Sequence, residues 1–307
     1  MKIVALAGGV GGARLSDGLA QLLPPGDLTV VVNTGDDFEH LGLFICPDLD
    51  TVCYTLAGLA NPETGWGRQG ETFRTLENLH SLGGPDWFQL GDLDLATHLE
   101  RSRRFHEGQP LSRITHDFCC IWNIPQTILP MSDQPVRTMV QTMDMGELPF
   151  QEYFVHRQCE PVVKGFRYAG IEAARPGPGV LEAIDQSDAI VICPSNPWVS
   201  INPILAVGGI RPALNRKKAV AISPIIAGKT VKGPAAKMYA ELGIQPSALA
   251  VARHYGDLLS AFVMDTLDAA LAKEVGVRTF LTDTLMKTRE DRRRLAQDVL
   301  NCVQRTT

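Results

Sequence analysis

The sequence lacks any apolar run near the roughly 20 residues that a bilayer-crossing helix requires, so no membrane span is expected. It also lacks a cysteine pattern. The seven cysteines, Cys46, Cys53, Cys119, Cys120, Cys159, Cys193 and Cys302, form no CxxC pair and show no zinc-ligand spacing. An odd, scattered set fits reduced, buried thiols in a cytoplasmic protein. Positive charge is not in excess: 29 Lys and Arg stand against 34 Asp and Glu, a formal net charge of −5. That balance supplies no basic field to hold nucleic acid or an anionic membrane, and any phosphate recognition must be local. The opening Met1–Ala7 stretch is apolar for only a few residues and runs into glycines without a cleavage site. It reads as a buried first strand, not a leader. Internal repeats and low-complexity tails are missing as well.

What is present is a chain of 307 residues, 45% hydrophobic, enough for one large domain with a substantial core. Short apolar runs bounded by turn residues, Ile3–Leu6, Leu28–Val32, Ala189–Cys193, Ala219–Ile222 and Arg278–Leu281, read as buried parallel strands. Helical patterns at Ala13–Leu22, Thr51–Leu59, Glu71–Leu79, Ala96–Phe105, Leu111–Trp122, Pro234–Leu242 and Arg289–Val303 alternate with or follow them. The expected fold is α/β, a Rossmann-like parallel sheet with helices on both faces and ligands beyond the carboxyl ends of the strands. The middle differs, being mostly helical from about 60 to 125 and extended with turns from Thr127 to Tyr168. Val136–Thr142 alternates well enough for a half-exposed strand. Residues 60–175 are therefore expected as a largely helical inserted cap on a single domain of 1–307. The Pro-Gly run Arg175–Gly179 returns the chain to the sheet.

The first strand ends in Ala7-Gly8-Gly9-Val10-Gly11-Gly12-Ala13-Arg14. Glycines at a strand-to-helix turn let the backbone approach a phosphate, which the helix N-terminus favours. The full dinucleotide fingerprint is not met, because Arg14 stands where the third glycine belongs. The second strand leads into Asn33-Thr34-Gly35-Asp36-Asp37, and Pro47-Asp48-Leu49-Asp50-Thr51 follows at a helix start. Aspartates there can serve as helix caps. Four of them converging on one rim beside a phosphate loop also match what Mg²⁺ requires, with Asp37, Asp48 and Asp50 as candidate ligands. Gln89-Leu90-Gly91-Asp92-Leu93-Asp94 and His98 form another acidic turn, which caps a helix or faces a ligand. Two later strands end alike, in Pro194-Ser195-Asn196-Pro197 and in Ser223-Pro224. Such turns are either purely structural or aim hydroxyl and amide groups at a ribose, base or phosphate. Ser223–Thr230 nearly matches a P-loop, but Val231-Lys232-Gly233-Pro234 intervenes where a long helix should start. Lys229, Lys232 and Arg14 remain candidate phosphate contacts.

Taken in order, Gly8–Arg14, Asn33–Asp37, Pro47–Thr51, Leu90–His98, Leu129-Pro130-Met131-Ser132-Asp133, Pro194–Pro197, Ser223–Ile226 and Asp283–Met286 resemble the 2-phospho-L-lactate transferase family over nearly the whole chain. The resemblance implies a Mg²⁺-dependent step of deazaflavin coenzyme F-420 biosynthesis. A phospholactyl or phosphoenolpyruvyl group passes from a guanosine-diphospho-activated donor to the ribityl hydroxyl of the deazaflavin precursor Fo, and GMP leaves. It implies Asp50 as the catalytic residue, linked with both Fo and the metal. Gln89, Asp92 and Asp94 fall on the acceptor side, and Trp66 offers an aromatic edge that either stacks on a flavin-like ring or plugs the core. On the guanosine-diphosphate side fall Gly8, Gly9, Gly11, Gly12, Ser195, Asn196, Pro197, Ser223 and Pro224. Gln89 stands where archaeal relatives carry a lysine. Together with the Gly-Gly-Val-Gly-Gly-Ala-Arg start, this points to the bacterial subgroup and an enolpyruvyl donor. A homodimer is the expected assembly. Two rivals are a nucleotide-sugar-binding regulatory protein of a related group and a nicotinamide-dependent dehydrogenase. Pro47–Thr51 and Trp66 count against the first, and Arg14 against the second.

Overall fold

The computed structural model describes residues 1–306. Seven strands form one wholly parallel sheet. Their spatial order is Arg278–Thr282, Ala261–Asp265, Lys218–Ile222, Ala189–Ile192, Ile3–Ala7, Leu28–Val32 and Thr127–Pro130. The Ile3–Ala7 strand lies inside the sheet, with Ile3 opposite Leu28 on one side and Ala189 on the other. Chain order reverses there, so the crevice beyond Ala7 is the switch point at which such sheets bind ligands.

The alternation of side chains along a strand sorts the core into two layers. Ile3, Ala5 and Ala7 face helix α1 (Gly9–Ala20) and the last helix, Arg289–Arg305, packing with Leu15, Leu19, Leu295 and Val299. Val4 and Leu6 face the opposite side, with Ile184, Val251 and Tyr255. Both layers are apolar and closed, which is why the central strands read as unbroken hydrophobic runs.

Two sheet strands escape the sequence pattern. Ala261–Asp265 is fully buried but only five residues long, and follows a helical stretch that masks it. Thr127–Pro130 lies inside the stretch expected as cap, yet pairs with Leu28–Val32 at the sheet edge. Helices also start earlier than their periodicity suggests. α1 begins at Gly9 within the glycine run, and α2 (Pro47–Leu56) begins at a proline suited to a first turn. Asp48 and Asp50 therefore lie inside the first turn of α2. Beyond α2 come α3 (Arg74–Ser81), α4 (Asp92–His106) and α5 (Leu111–Ile121). A three-stranded antiparallel sheet of Glu147–Pro149, Arg137–Thr142 and Val163–Ala169 follows, with its own small core around Val140, Phe150 and Tyr153. No helix among the described residues is long and apolar enough to cross a membrane.

Candidate active site

A cavity of about 710 Å³ opens at the switch point and is walled by α1, α2, α4, the antiparallel sheet region and the turns after the Ala189–Ile192 strand. Its floor is the glycine loop. Gly9 has φ +60°, a left-handed conformation that glycine adopts without strain. Asp48 fastens the loop from α2: one carboxylate oxygen accepts the Gly9 N–H at 2.7 Å, and the other accepts from Asn33 Nδ2 at 2.9 Å. Ser195 fastens it from the other side, its Oγ accepting the Gly8 N–H at 3.1 Å and donating to the Gly8 carbonyl at 2.7 Å. Gly11 touches so close to the Pro194 carbonyl that a Cβ would collide with it. Burial raises the Asp48 pKa to about 6 against the opposing hydrogen bonds from Asn33 and Gly9. Asp36, also lining the cavity, is pushed well up by burial and then by the charges of Asp48 and Asp37.

The acidic wall is built by α2 and α4. Asp50 and Tyr54 come from α2; Asp94, His98 and Arg101 come from α4 at intervals of four and three residues, hence on one face. Arg101 grips both Asp50 oxygens, one at 3.0 Å and the other in a shorter contact, with both side chains buried. The Tyr54 hydroxyl donates to Asp94 at 2.7 Å. His98 lies between the two acids, its Nδ1 3.7 Å from Asp50 and its Nε2 3.3 Å from Asp94, the latter without the alignment of a hydrogen bond. Arg101 Nη1 lies 3.1 Å from His98 Nδ1. A guanidinium only donates, so Nδ1 accepts and the neutral ring carries its proton on Nε2, facing Asp94. Burial works against the Asp94 carboxylate, but His98 and Tyr54 outweigh it and leave its pKa below the usual value.

Ligand atoms of Asp50, Asp94 and His98 lie within 4.8 Å of one another, a spacing that fits one metal ion. The tautomer imposed by Arg101 withdraws the His98 lone pairs, leaving two carboxylates. Hard oxygen donors of that kind suit Mg²⁺, which keeps several waters and takes only one or two protein carboxylates.

The remaining walls are aromatic and basic. Trp66, Trp87, Phe88, Gln89, Phe150 and Phe154 line one side, with Trp87 stacked on His156 at 5.0 Å. Asn196 stands at the other, its Oδ1 capping the Trp198 N–H at 3.0 Å. Lys232 Nζ contacts the Thr64 carbonyl and so ties the Lys229–Pro234 turn to the loop before α3. Burial, then Arg14, lowers the Lys232 pKa.

Several residues singled out in the sequence lie off this cavity. Asp37 is buried behind it, its pKa raised by burial to about 8. Asp92 is on the surface, where it receives the Arg74 and Thr75 N–H groups at 3.2 and 3.1 Å at the start of α3. Arg14 donates to the Met286 carbonyl at 2.9 Å, and Gly12 packs under Ala7. Ser223 closes its own turn by bonding Ile225, Pro224 follows it, and Pro197 is buried in the turn after Asn196. Lys229 lies on a two-residue surface strand. Conversely, Tyr54, Arg101, Ser200, Phe150 and Gln151 belong to the site or its support without having been singled out. The 94–98–101 spacing was the one available signal.

A parallel sheet whose switch-point crevice carries a pinned glycine loop and a buried carboxylate pair defines an α/β enzyme that handles phosphorylated ligands. The chain belongs to the 2-phospho-L-lactate transferase CofD family, whose model matches residues 3–306. It is 49% identical over 282 residues to a phosphoenolpyruvate transferase of Streptomyces griseus, covering 90% of this chain and 89% of that one. A phosphoenolpyruvate transferase of Thermobifida fusca is 46% identical, covering 88% of both. A 2-phospho-L-lactate transferase of Methanosarcina acetivorans is 40% identical over 97% of this chain and 98% of its own. Among solved structures, a upf0052-family protein of Bacillus halodurans superposes with a TM-score of 0.65 at 18% identity, covering 97% of this chain and 99% of that one, which speaks for the fold alone.

Proposed function

We propose that this enzyme transfers a phosphoenolpyruvyl group from an enolpyruvyl-diphospho-guanosine donor to the ribityl hydroxyl of Fo. The chain is a phosphoenolpyruvate/2-phospho-L-lactate transferase of deazaflavin coenzyme F-420 biosynthesis. The observation that carries the reading is the single cavity that holds a phosphate-type glycine loop and the Asp50–Asp94 pair a few residues from aromatic walls. The donor's identity follows the phosphoenolpyruvate transferases, at 42 to 49% identity, over the 2-phospho-L-lactate transferases at 40%.

In this reaction the ribityl oxygen attacks the phosphorus that carries the enolpyruvyl group. The bond from that phosphorus to the GMP phosphate oxygen breaks, GMP leaves with the electron pair, and the hydroxyl proton passes to a carboxylate. Asp50 is the proposed catalytic residue. The loop N–H groups of Val10 and Gly11, left free once Ser195 and Asp48 have taken those of Gly8 and Gly9, hold the diphosphate with Lys232; Ser195 and Asn196 border the nucleoside. Trp66, Gln89 and the aromatic wall hold the deazaflavin ring. Asp50 and Asp94 would hold Mg²⁺, which when bound neutralises charge on the phosphoryl oxygens. Asp48 acts one step away, by fixing the loop. The expected assembly is a homodimer.

The test is a turnover assay with purified protein, Fo, Mg²⁺ and each guanylylated donor in turn, followed by mass. Enolpyruvyl product is expected. Exclusive lactyl product would refute the donor assignment, and no product with either donor would refute the activity. Asp50→Asn should lower kcat at least about a hundredfold while circular dichroism and melting show a folded protein. Turnover near wild type would remove Asp50 from the chemistry.

A further inference from the structure

One polar side chain of the cavity has no task in the reaction just described. Gln151 is 6% exposed and lines the cavity, and among the described residues its carboxamide has no hydrogen-bond partner. Its polar atoms reach the cavity surface, so a donor and an acceptor with no protein partner are left to whatever fills the cavity. Asn196, the comparable amide, already spends its oxygen on the Trp198 N–H. The backbone at Gln151 is unusual too. A single π-helical turn, Glu152–His156, starts directly after it, and such turns concentrate at functional sites. The surroundings are flat and apolar. Phe150 and Phe154 stack nearly parallel at 5.3 Å and 5°, and Val155, Trp87 and Phe88 complete the wall.

A carboxamide presents a donor and an acceptor side by side, and its complement is a ring N–H next to a ring C=O. We propose that Gln151 is a specificity residue that reads this lactam edge on a planar heterocycle held against the aromatic wall. The inference rests on the function proposed above, which supplies two rings with such an edge: the guanine of the donor and the pyrimidinedione of the deazaflavin. An adenine presents the opposite arrangement, an acceptor nitrogen beside an exocyclic amine, without the carbonyl. A carboxamide can rotate to meet that edge, so rejection of adenine is not part of the claim.

The experiment uses the full-length enzyme and two substitutions, Gln151→Met, nearly isosteric and apolar, and Gln151→Glu, which keeps an acceptor but loses the donor. Dissociation constants are measured separately for GDP by calorimetry and for Fo by its fluorescence, with melting curves to establish folding. Two hydrogen bonds to a desolvated edge predict a loss of roughly 10- to 100-fold for one ligand and less than about twofold for the other. The affected ligand, methylated at its ring N–H, should bind wild type and Gln151→Met equally. Should Gln151→Met not fold, Gln151→Glu decides by the same readout. Unchanged affinity for both ligands overturns the proposal. So does a parallel loss for both that the methylated ligands share, since that is a structural effect. Failure of wild type to bind Fo, with the GDP arm responding, removes the acceptor reading and leaves Gln151 as a guanine reader. Normal binding of both ligands with no response to either substitution removes Gln151 and leaves the function.

Discussion

Replacing Arg101 by methionine isolates the contact on which the acidic wall depends. The Arg101 and Asp50 side chains are 4% and 8% exposed, and the guanidinium reaches both carboxylate oxygens. Burial works against the guanidinium charge, but Asp50 and Cys46 beside it hold the Arg101 pKa well above the usual arginine value. The Phe118 ring lies 5.9 Å from the guanidinium carbon and closes the pocket from behind. Methionine keeps most of the apolar stem, so the change is chiefly electrical: it strands a buried carboxylate. Removing one partner of a buried pair costs about 3–5 kcal/mol. With about 2.1 cal/mol/K of unfolding entropy per residue, a chain of 307 residues loses roughly 5–8 °C in melting temperature. Asp50→Asn in the same background removes the stranded charge, so the double variant should recover at least about 1 kcal/mol relative to additivity. Thermal and urea unfolding of the four proteins measure this. A melting point for Arg101→Met within about 2 °C of wild type, or strictly additive losses, would refute the buried-pair account.

Gly11→Ala should remove most nucleotide affinity, because the new Cβ meets the Pro194 carbonyl and must displace the loop; GDP calorimetry checks this, and wild-type affinity would show that the loop does not need the close approach. His254 gives a pH dependence away from the cavity. Burial and then Arg211 lower its pKa from 6.5 to about 4, and it pairs as a neutral ring with Asn202 at 2.9 Å. The unfolded chain therefore binds more protons between those values, so its contribution is full above about pH 6.5 and is lost as pH falls toward 4. Between pH 7 and 5 the loss is about 2 kcal/mol, and His254→Gln should show a correspondingly shallower decline in urea unfolding. Equal slopes for both proteins would contradict the buried neutral state.

Most of the sheet was legible because its inner strands are buried on both faces, so the runs at 3–6 and 189–193 carry no polar interruption and 28–32 only Thr29; Arg278–Leu281, expected as buried, is instead a partly exposed edge strand. Legibility failed where length and context mislead. Ala261–Asp265 offers only five residues, and Thr127–Pro130 is an edge strand ending in a proline, which a parallel edge tolerates and a pattern rule discounts. At the site, the glycine loop was legible because a close backbone approach demands glycine. The division of labour among the aspartates was not. Asp48 and Asp50 sit two apart in one helical turn, yet one holds the Gly9 N–H and the Asn33 amide and the other an arginine 51 residues away. Only the packing of α4 separates those roles.

Helix α4 is the instructive case, because its burial runs opposite to the usual rule. Its buried positions are Thr97, His98, Arg101, Ser102 and Arg104, while Leu93 and Leu99 are exposed to 42% and 53%. Amphipathic reasoning turns the leucines inward and leaves the charges to solvent. The inversion holds because every charge it buries meets a partner: Arg101 meets Asp50, Arg104 meets Asp117, and Ser102 accepts the Phe44 N–H at 2.7 Å. Burying a polar face costs little when its charges are paired, and here only His98 Nε2 is left without a hydrogen bond. Such a face specifies its position more sharply than an apolar one, since a shift of one turn would leave several charges unpaired. That fixed register delivers Asp94 and His98 to within 4.8 Å of Asp50. Helix α4 thus gives up the burial of Leu93 and Leu99 and gains a set position for two site residues, which is what a site assembled from separate helices requires.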